Sequence, residues 1–123
     1  MNKKKALLIG SRDESWEKLE EELVRLDYSV IKVSDGFDAY RVVEKEIPSF
    51  ILIEVVPPKI VGFSICKLVK IRPMLSHIPV IVTVVNVDAN LENLASKSGA
   101  DAIIPYSTDP QAMLAELKKH TAV

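Results

Sequence analysis

Five short apolar runs alternate with five amphipathic stretches along the chain, and this alternation constrains the fold more than any other feature of the sequence. The runs are residues 6–9, 29–33, 50–53, 80–84 and 101–104. Four of them are almost continuously apolar, apart from Thr83 and Asp101, which is typical of strands covered on both faces in a parallel sheet. The run 29–33 alternates polar and apolar residues more strongly, so we expect it near an edge of the sheet.

The stretches between the runs carry apolar residues at three- and four-residue steps, as helices with one buried face do. These stripes are Trp16, Leu19, Leu23 and Leu26; Ala39, Tyr40 and Val43; Phe63, Cys66 and Val69; and Leu91, Leu94 and Ala95. Residues 11–14 fit a capping box, Pro73 ends the third helix, and Gly99 suits a C-terminal cap. Residues 108–111, Thr-Asp-Pro-Gln, begin the fifth helix with a capping pattern and an early proline.

Strands that alternate with helices through short links form a doubly wound α/β sheet, because right-handed crossovers place helices on both faces. The sequence therefore predicts one domain over residues 1–123, with a five-stranded parallel sheet between two layers of helices in (βα)5 order. A chain of 123 residues is about the size of one domain.

Bulk properties exclude several classes of partner. The formal net charge is −1, which lacks the basic footprint of a nucleic-acid binder. No apolar run approaches the ~20 residues of a membrane span, so we expect no membrane partner. The single cysteine, Cys66, cannot pair within the chain, as is usual in a reducing compartment, and we expect a cytoplasmic protein.

Candidate functional residues lie just after the apolar runs, because side chains that bind ligands gather beyond the carboxyl ends of parallel strands. They are Gly10, Ser11, Glu54, Val84 and Tyr106. The sequence contains no Ser-His-acid arrangement, glycine-rich phosphate loop or cysteine pair, and His77 and His120 have no metal-ligand spacing. We therefore predict no catalytic residue, no metal, no cofactor and no enzymatic activity.

Several segments resemble, in order and in register, the receiver domains of response regulators in two-component signalling. They are residues 4–9, 34–36, 53–58 with 62–63, 78–82 and 99–101. The similarity covers essentially the whole chain. It implies the flavodoxin-like form of the three-layer α/β/α fold and a role in phosphorelay signal transduction.

The resemblance also implies a set of chemical groups, and this chain departs from it at each position. In receivers, two acids and an acceptor aspartate bind magnesium, and a hydroxyl and a lysine then grip the phosphoryl group. The matching positions hold Gly10 and Ser11, Glu54, Val84 and Tyr106, in that order, and Ile103 replaces an aromatic residue of the fifth strand. Adjacent Thr83 points to the opposite face from Val84, and Asp13 falls in the first helical turn, so neither restores the site.

We therefore predict a degenerate pseudo-receiver that acts by protein–protein interaction, independently of phosphorylation. Glu54 is either a strand-end carboxylate that accepts backbone hydrogen bonds or a mimic of phospho-aspartate. The alternative function is an atypical receiver, switched by unusual phosphorylation of Glu54 or by a small ligand in a pocket between Gly10, Glu54 and Val84. Cys66 is interpreted as a small buried hydrophobic residue.

Two surfaces are candidates for binding a signalling protein. Leu68 and Ile71 lie outside the buried stripe of the third helix, and residues 55–87 contain four bases and no acid. Such a face is either a docking surface for an acidic partner or a solvated face with incidental exposure of leucine. The other surface joins the fourth helix, fifth strand and fifth helix, which receivers use for homodimers and partners; Tyr106 and Ile103 are its candidate residues. The sequence leaves open whether the domain stands alone or belongs to a longer regulator.

Overall fold

The chain forms alternating strands and helices in a computed structural model that describes residues 4–10, 14–34, 36–57 and 59–123. The strands are β1 (Lys4–Ile9), β2 (Tyr28–Val33), β3 (Phe50–Glu54), β4 (Val80–Val84) and β5 (Ala102–Pro105). The helices are α1 (Glu14–Arg25), α2 (Gly36–Glu46), α3 (Val61–Ile71), α4 (Ala89–Ser98) and α5 (Pro110–His120). Ser11 and Asp13, with most of the predicted capping box, lie outside the described residues.

The five strands pair in parallel in the order β2-β1-β3-β4-β5, which confirms the predicted doubly wound sheet. The alternating strand β2 lies at one edge, as its sequence pattern indicates. The three central strands are apolar on both faces because both faces are covered. Their carboxyl ends meet at one rim of the sheet, where the functional residues of this architecture gather.

Each face of the sheet packs against its own helices. Helices α2, α3 and α4 cover one face, where Leu7, Ile51 and Val82 belong to one buried cluster. Helices α1 and α5 cover the other, where Leu8 and Leu52 belong to a second cluster. Full burial of one such side chain contributes about 1.5–3 kcal/mol, so these two clusters supply the main driving force for folding.

The carboxyl ends of α3 and α4 are as predicted, and the predicted apolar stripes hold with one exception. Asp88 caps α4 by accepting a 2.8 Å hydrogen bond from the Leu91 amide, and Gly99 ends α4 at a φ of 85°. Asp109 caps α5 by accepting from the Gln111 amide. The exception is Leu26, predicted to continue the buried stripe of α1. It is 44% exposed because α1 ends at Arg25, before a turn in which Asp27 adopts a φ of 68°.

A buried cation fastens the amino-terminal end of the sheet. The Lys70 Nζ atom donates to the Ile78 carbonyl at 2.7 Å and pairs with Asp101 Oδ2 at 2.8 Å. The same carboxylate oxygen accepts a 2.7 Å hydrogen bond from the Val80 amide. One side chain of α3 is therefore tied to the segments that begin both β4 and β5.

None of the described helices is long and apolar enough to cross a membrane.

Candidate functional site

The parallel register brings the predicted positions to one rim of the sheet. Glu54, the last residue of β3, is the register partner of Thr83 in β4. Val84, the next residue of β4, is the register partner of Pro105 in β5. The Val84 carbonyl accepts a 2.7 Å hydrogen bond from the Tyr106 amide. Gly10 follows β1 immediately, beside the end of β3. Ser11 lies outside the described residues, so its place at this rim stays a prediction.

Gly10 and Glu54 are in direct contact at the centre of the rim. Gly10 adopts a φ of 153°, a backbone conformation that residues with a side chain rarely adopt. A Cβ atom placed on Gly10 would lie 2.6 Å from Glu54 Cβ and 3.1 Å from Glu54 Oε1. The half-buried glutamate therefore occupies the space that a side chain at position 10 would need.

The end of β4 offers no hydroxyl at the position where receivers carry one. Val84 is 1% exposed and packs in the cluster beneath α2, α3 and α4. Thr83 is fully buried and lies on the opposite face, as predicted, beside Glu54 in the sheet register. Among the described residues its hydroxyl has no hydrogen-bond partner.

Tyr106 and Ile103 are half-buried. The Tyr106 side chain packs against the cluster of α1 and α5, and Ile103 packs against the cluster on the other face of the sheet. Each side chain thus contributes to a core as well as to the surface. Their role in binding a partner stays a prediction.

The described residues do not fit the magnesium site that the resemblance implies. Glu54 is the only carboxylate among the matching positions, and it fills the space above Gly10. Within the described ranges, no three His, Cys, Asp or Glu residues are grouped so that they could hold a metal ion. A hard cation needs several oxygen ligands, and one carboxylate supplies too few. Asp13 lies outside the described residues.

The predicted pocket between Gly10, Glu54 and Val84 stays a prediction, but the rim does contain a cleft beside Val84. It has a volume of about 360 Å³ and lies between the loops that follow β3 and β4. Its lining is Val55, Val56, Pro57, Val84, Val85, Asn86, Asp88 and Leu91. Our sequence analysis missed this cleft, although the apolar residues that follow both strands, 55–57 and 85, were a visible signal.

The α3 surface is partly as predicted. Leu68 and Ile71 are 44% and 64% exposed. The prediction of a surface with four bases was wrong in one respect, because two of the bases are paired with acids. Lys70 pairs with Asp101, and Arg72 pairs with Glu44. Hydrogen bonds from Arg72 to the Tyr40 hydroxyl and to Glu44 raise the pKa of its guanidinium. Of the four bases, Lys59 and Lys67 are exposed and have no ion pair within the described part of the chain.

The remaining candidate side chains lie where the sequence analysis placed them. Cys66 is fully buried, with its Sγ atom 3.5 Å from the Ser98 carbonyl oxygen. Burial raises the pKa of its thiol, which opposes formation of the thiolate. His77 and His120 are exposed.

Comparisons with known proteins identify one group of relatives, although no protein-family profile matches the chain. The alkaline phosphatase synthesis transcriptional regulatory protein PhoP of Bacillus subtilis is 28% identical over 115 residues, covering 94% of this chain and 47% of PhoP. The response regulator PleD of Caulobacter vibrioides is 28% identical over 104 residues, covering 84% of this chain and 23% of PleD. The chain spans about half, or less, of the length of the curated relatives it matches.

Solved structures resemble the chain over nearly its whole length. The chemotaxis response regulator CheY4 of Vibrio cholerae superposes with a TM-score of 0.84 at 19% identity, covering 96% of this chain and 98% of CheY4. The receiver domain of the sensor histidine kinase PA1611 from Pseudomonas aeruginosa has a TM-score of 0.80 at 19% identity, covering 99% of this chain and all of that domain. That structure has a magnesium ion coordinated in its active site cleft.

Proposed function

Because the relatives and structural neighbours of this chain are response-regulator receiver domains, we propose that it is a receiver-like signalling module that works without phosphorylation. It acts as a single domain, by binding a protein of a two-component pathway in the cytoplasm, and it catalyses no reaction. The observation that carries this proposal is the contact between Glu54 and Gly10, in which the glutamate occupies the space that a side chain at position 10 would need.

Two features of the rim support this conclusion. Transfer of a phosphoryl group to a carboxylate needs a divalent cation and groups that answer the charge on its oxygens. Position 84 supplies a buried aliphatic side chain in place of a hydroxyl. Position 106 supplies a phenol, which is neutral at pH 7, in place of an ammonium group. An acyl phosphate on Glu54 would therefore lack two of the groups that stabilise it in receivers.

Intact-mass spectrometry tests the proposal directly. The purified protein is incubated with acetyl phosphate and Mg²⁺, beside a receiver with a complete acid pair as the positive control. We expect no phosphoryl adduct on this chain under conditions that modify the control. An adduct that disappears in the Glu54→Gln variant would contradict the proposal and would establish the atypical-receiver alternative.

The two interpretations of the Glu54 charge are separable by the same substitution. If Glu54 imitated a phosphorylated aspartate, Glu54→Gln would change the conformation of β4, α4 and β5 as well as the rim. We expect a strand-end role, so amide chemical shifts should change only for residues next to positions 10 and 54. Shifts that extend to Tyr106 and Ile103 would instead support the mimic.

A homodimer through α4, β5 and α5 remains part of the proposal. Tyr106 and Ile103 are half-buried there, so each presents only part of its side chain to a second copy. Sedimentation velocity over a range of concentrations tests this point. A dimer that Tyr106→Ala dissociates would support the interface, and a monomer at every concentration would exclude it.

A further inference from the structure

Exposed aliphatic side chains are concentrated in one segment of the chain. Eight of the eleven exposed large hydrophobic residues among the described positions lie within residues 56–87. They are Val56, Ile60, Val61, Leu68, Ile71, Met74, Val85 and Val87. Single exposed apolar residues are ordinary on a protein surface, but a contiguous group marks an interaction site.

Three of these residues form a stripe along α3. Val61, Leu68 and Ile71 recur at steps of seven and three residues, so they lie on one face of the helix. The core-facing side of α3 is the opposite one, and it carries Phe63, Cys66 and others. The exposed stripe is therefore not an incompletely covered part of the core. It is a second apolar face, 44–64% exposed at each of its three residues.

The apolar cleft lies near the amino-terminal end of this stripe. Val56 and Val85 line it from two different loops, and each is more than half exposed. A bridge between Val56 and Lys59 holds the first loop, with the Lys59 amide donating to the Val56 carbonyl at 3.0 Å. The turn keeps Val56 at the surface, so binding costs little additional ordering of this loop.

The charge of this region selects the chemistry of a partner. Residues 55–87 contain no acid. Because Lys70 and Arg72 are paired with acids, Lys59 and Lys67 are the exposed bases of this segment that have no ion pair among the described residues. Asp88 lines the cleft, but its carboxylate is engaged as the cap of α4. An apolar helix face with unpaired lysines beside it is complementary to an apolar surface flanked by carboxylates.

We propose that the α3 stripe and the cleft, together the α3 ridge (Val56, Val61, Leu68, Ile71 and Val85), dock an amphipathic helix of a partner protein. The helix has aliphatic side chains on one face and carboxylates beside them. Strand addition is excluded as the mode here because β3 and β4 are interior strands with no open edge. This inference rests on the proposed function and adds the class of partner and the surface it uses.

The test uses two synthetic helical peptides as probes and backbone amide chemical shifts as the readout. Both peptides carry the same leucines at i, i+3, i+4 and i+7, but one has glutamates at its flanking positions and the other has lysines. We expect the glutamate peptide to cause saturable shifts in 56–61, α3 and 84–87. The lysine peptide should bind at least about tenfold more weakly, as the like charges of Lys59 and Lys67 oppose it.

Matched variants assign the binding to the ridge. Leu68→Ser with Ile71→Ser should weaken binding of the glutamate peptide at least about tenfold, because it removes the apolar stripe without touching the core. Val24→Ser, an equally exposed apolar residue outside the ridge, should change nothing. Lys59→Glu with Lys67→Glu should reverse the preference between the two peptides.

Several outcomes would overturn the inference. They are the absence of saturable shifts, shifts that map away from the ridge, and equal affinity for both peptides. A dimer of the free protein that Leu68→Ser dissociates would also overturn it, by assigning the ridge to a second copy of this chain. None of these results depends on whether Glu54 is phosphorylated, so they are distinguishable from a failure of the proposed function.

Discussion

Glu54 and Gly10 form a complementary pair, in which the side chain of one fills the space left by the absence of a side chain at the other. A Cβ atom added to Gly10 would approach Glu54 Cβ to 2.6 Å, closer than real Cβ contacts come. The two positions are therefore coupled physically, although 43 residues lie between them in the sequence. Neither position can be altered without consequences for the other.

The coupling predicts the outcome of a double-mutant cycle. Gly10→Ala should destabilise the domain by about 2 kcal/mol, because it combines overpacking against Glu54 with an unfavourable φ. In a Glu54→Gly background the loss should be smaller, since the steric part is gone. Urea denaturation of the four proteins measures the coupling. Gly99→Ala serves as the control, because its loss should be the same in both backgrounds.

The buried hydroxyl of Thr83 predicts a stabilising substitution. A buried hydroxyl without a partner costs free energy, so Thr83→Val should raise the free energy of unfolding by about 1 kcal/mol. Val82→Thr places a hydroxyl on the other buried face of β4 and should have the opposite effect. Thermal and urea denaturation measure both. Destabilisation by Thr83→Val would mean that the hydroxyl is hydrogen-bonded in solution.

The Lys70–Asp101 pair predicts a localised loss of stability. Lys70→Met retains the aliphatic stem of the side chain but removes hydrogen bonds to the Ile78 carbonyl and to Asp101. We expect a loss of about 1–2 kcal/mol, because the lysine is largely buried whereas Asp101 stays partly solvated. Lys67 is an exposed neighbour on the same helix, and the free energy of unfolding of the Lys67→Met variant should lie within ~0.5 kcal/mol of the wild-type value. Equal losses of stability in the two variants would show that the Lys70–Asp101 pair does not stabilise the fold.

The backbone at Ile47 is strained, and a substitution that removes this strain should stabilise the fold. It follows α2 at a φ of 45°, which is unfavourable for a β-branched side chain, and it is 47% exposed. Ile47→Gly should therefore stabilise the protein by about 0.5–1 kcal/mol, despite the greater freedom of the unfolded chain. Leu26→Gly tests the contrast at an exposed aliphatic residue without a positive φ, and we expect it to destabilise. Chemical denaturation compares the two variants.

Burial of Cys66 predicts a loss of stability in alkali. The folded state raises the pKa of the thiol above its ordinary value of 9.0, chiefly by desolvation. Below pH 9.0 both states keep the proton and the full stability is present; above it, only the unfolded chain releases the proton, so stability falls until the folded pKa is reached. Urea titrations at pH 8 and pH 10 should show a smaller decline for Cys66→Ala than for the wild type. Equal declines would contradict this origin.

The sequence predicted the strands, the helices and the edge position of β2, because burial on two faces, capping residues and periodicity are local signals. It also predicted the approach of Glu54, Val84 and Tyr106 to one rim, since parallel strands leave their carboxyl ends together. The sequence did not predict the contact between Gly10 and Glu54. That contact depends on a backbone angle and a neighbouring strand, and neither is encoded in a local pattern.

Charge pairing was the least predictable feature. Lys70 and Arg72 looked like parts of an exposed basic face because their nearest acids in sequence are distant. Folding brings Asp101, which precedes β5, to Lys70 and brings Glu44 of α2 to Arg72, so two of the four bases are paired with acids. Partners that lie 28–31 residues away along the chain are visible only once the helices are packed. The prediction that Leu26 is buried was wrong for a simpler reason. Helix α1 ends at Arg25, one residue before Leu26.

The fit between Gly10 and Glu54 has an evolutionary consequence. An acid introduced at position 10 alone would collide with the glutamate, and a shorter acid at position 54 alone would leave the space above the glycine empty. Each single step towards a metal-binding rim therefore passes through a less stable or still incomplete intermediate. A chain that carries this pair therefore needs changes at both positions together to acquire a metal-binding rim without loss of packing.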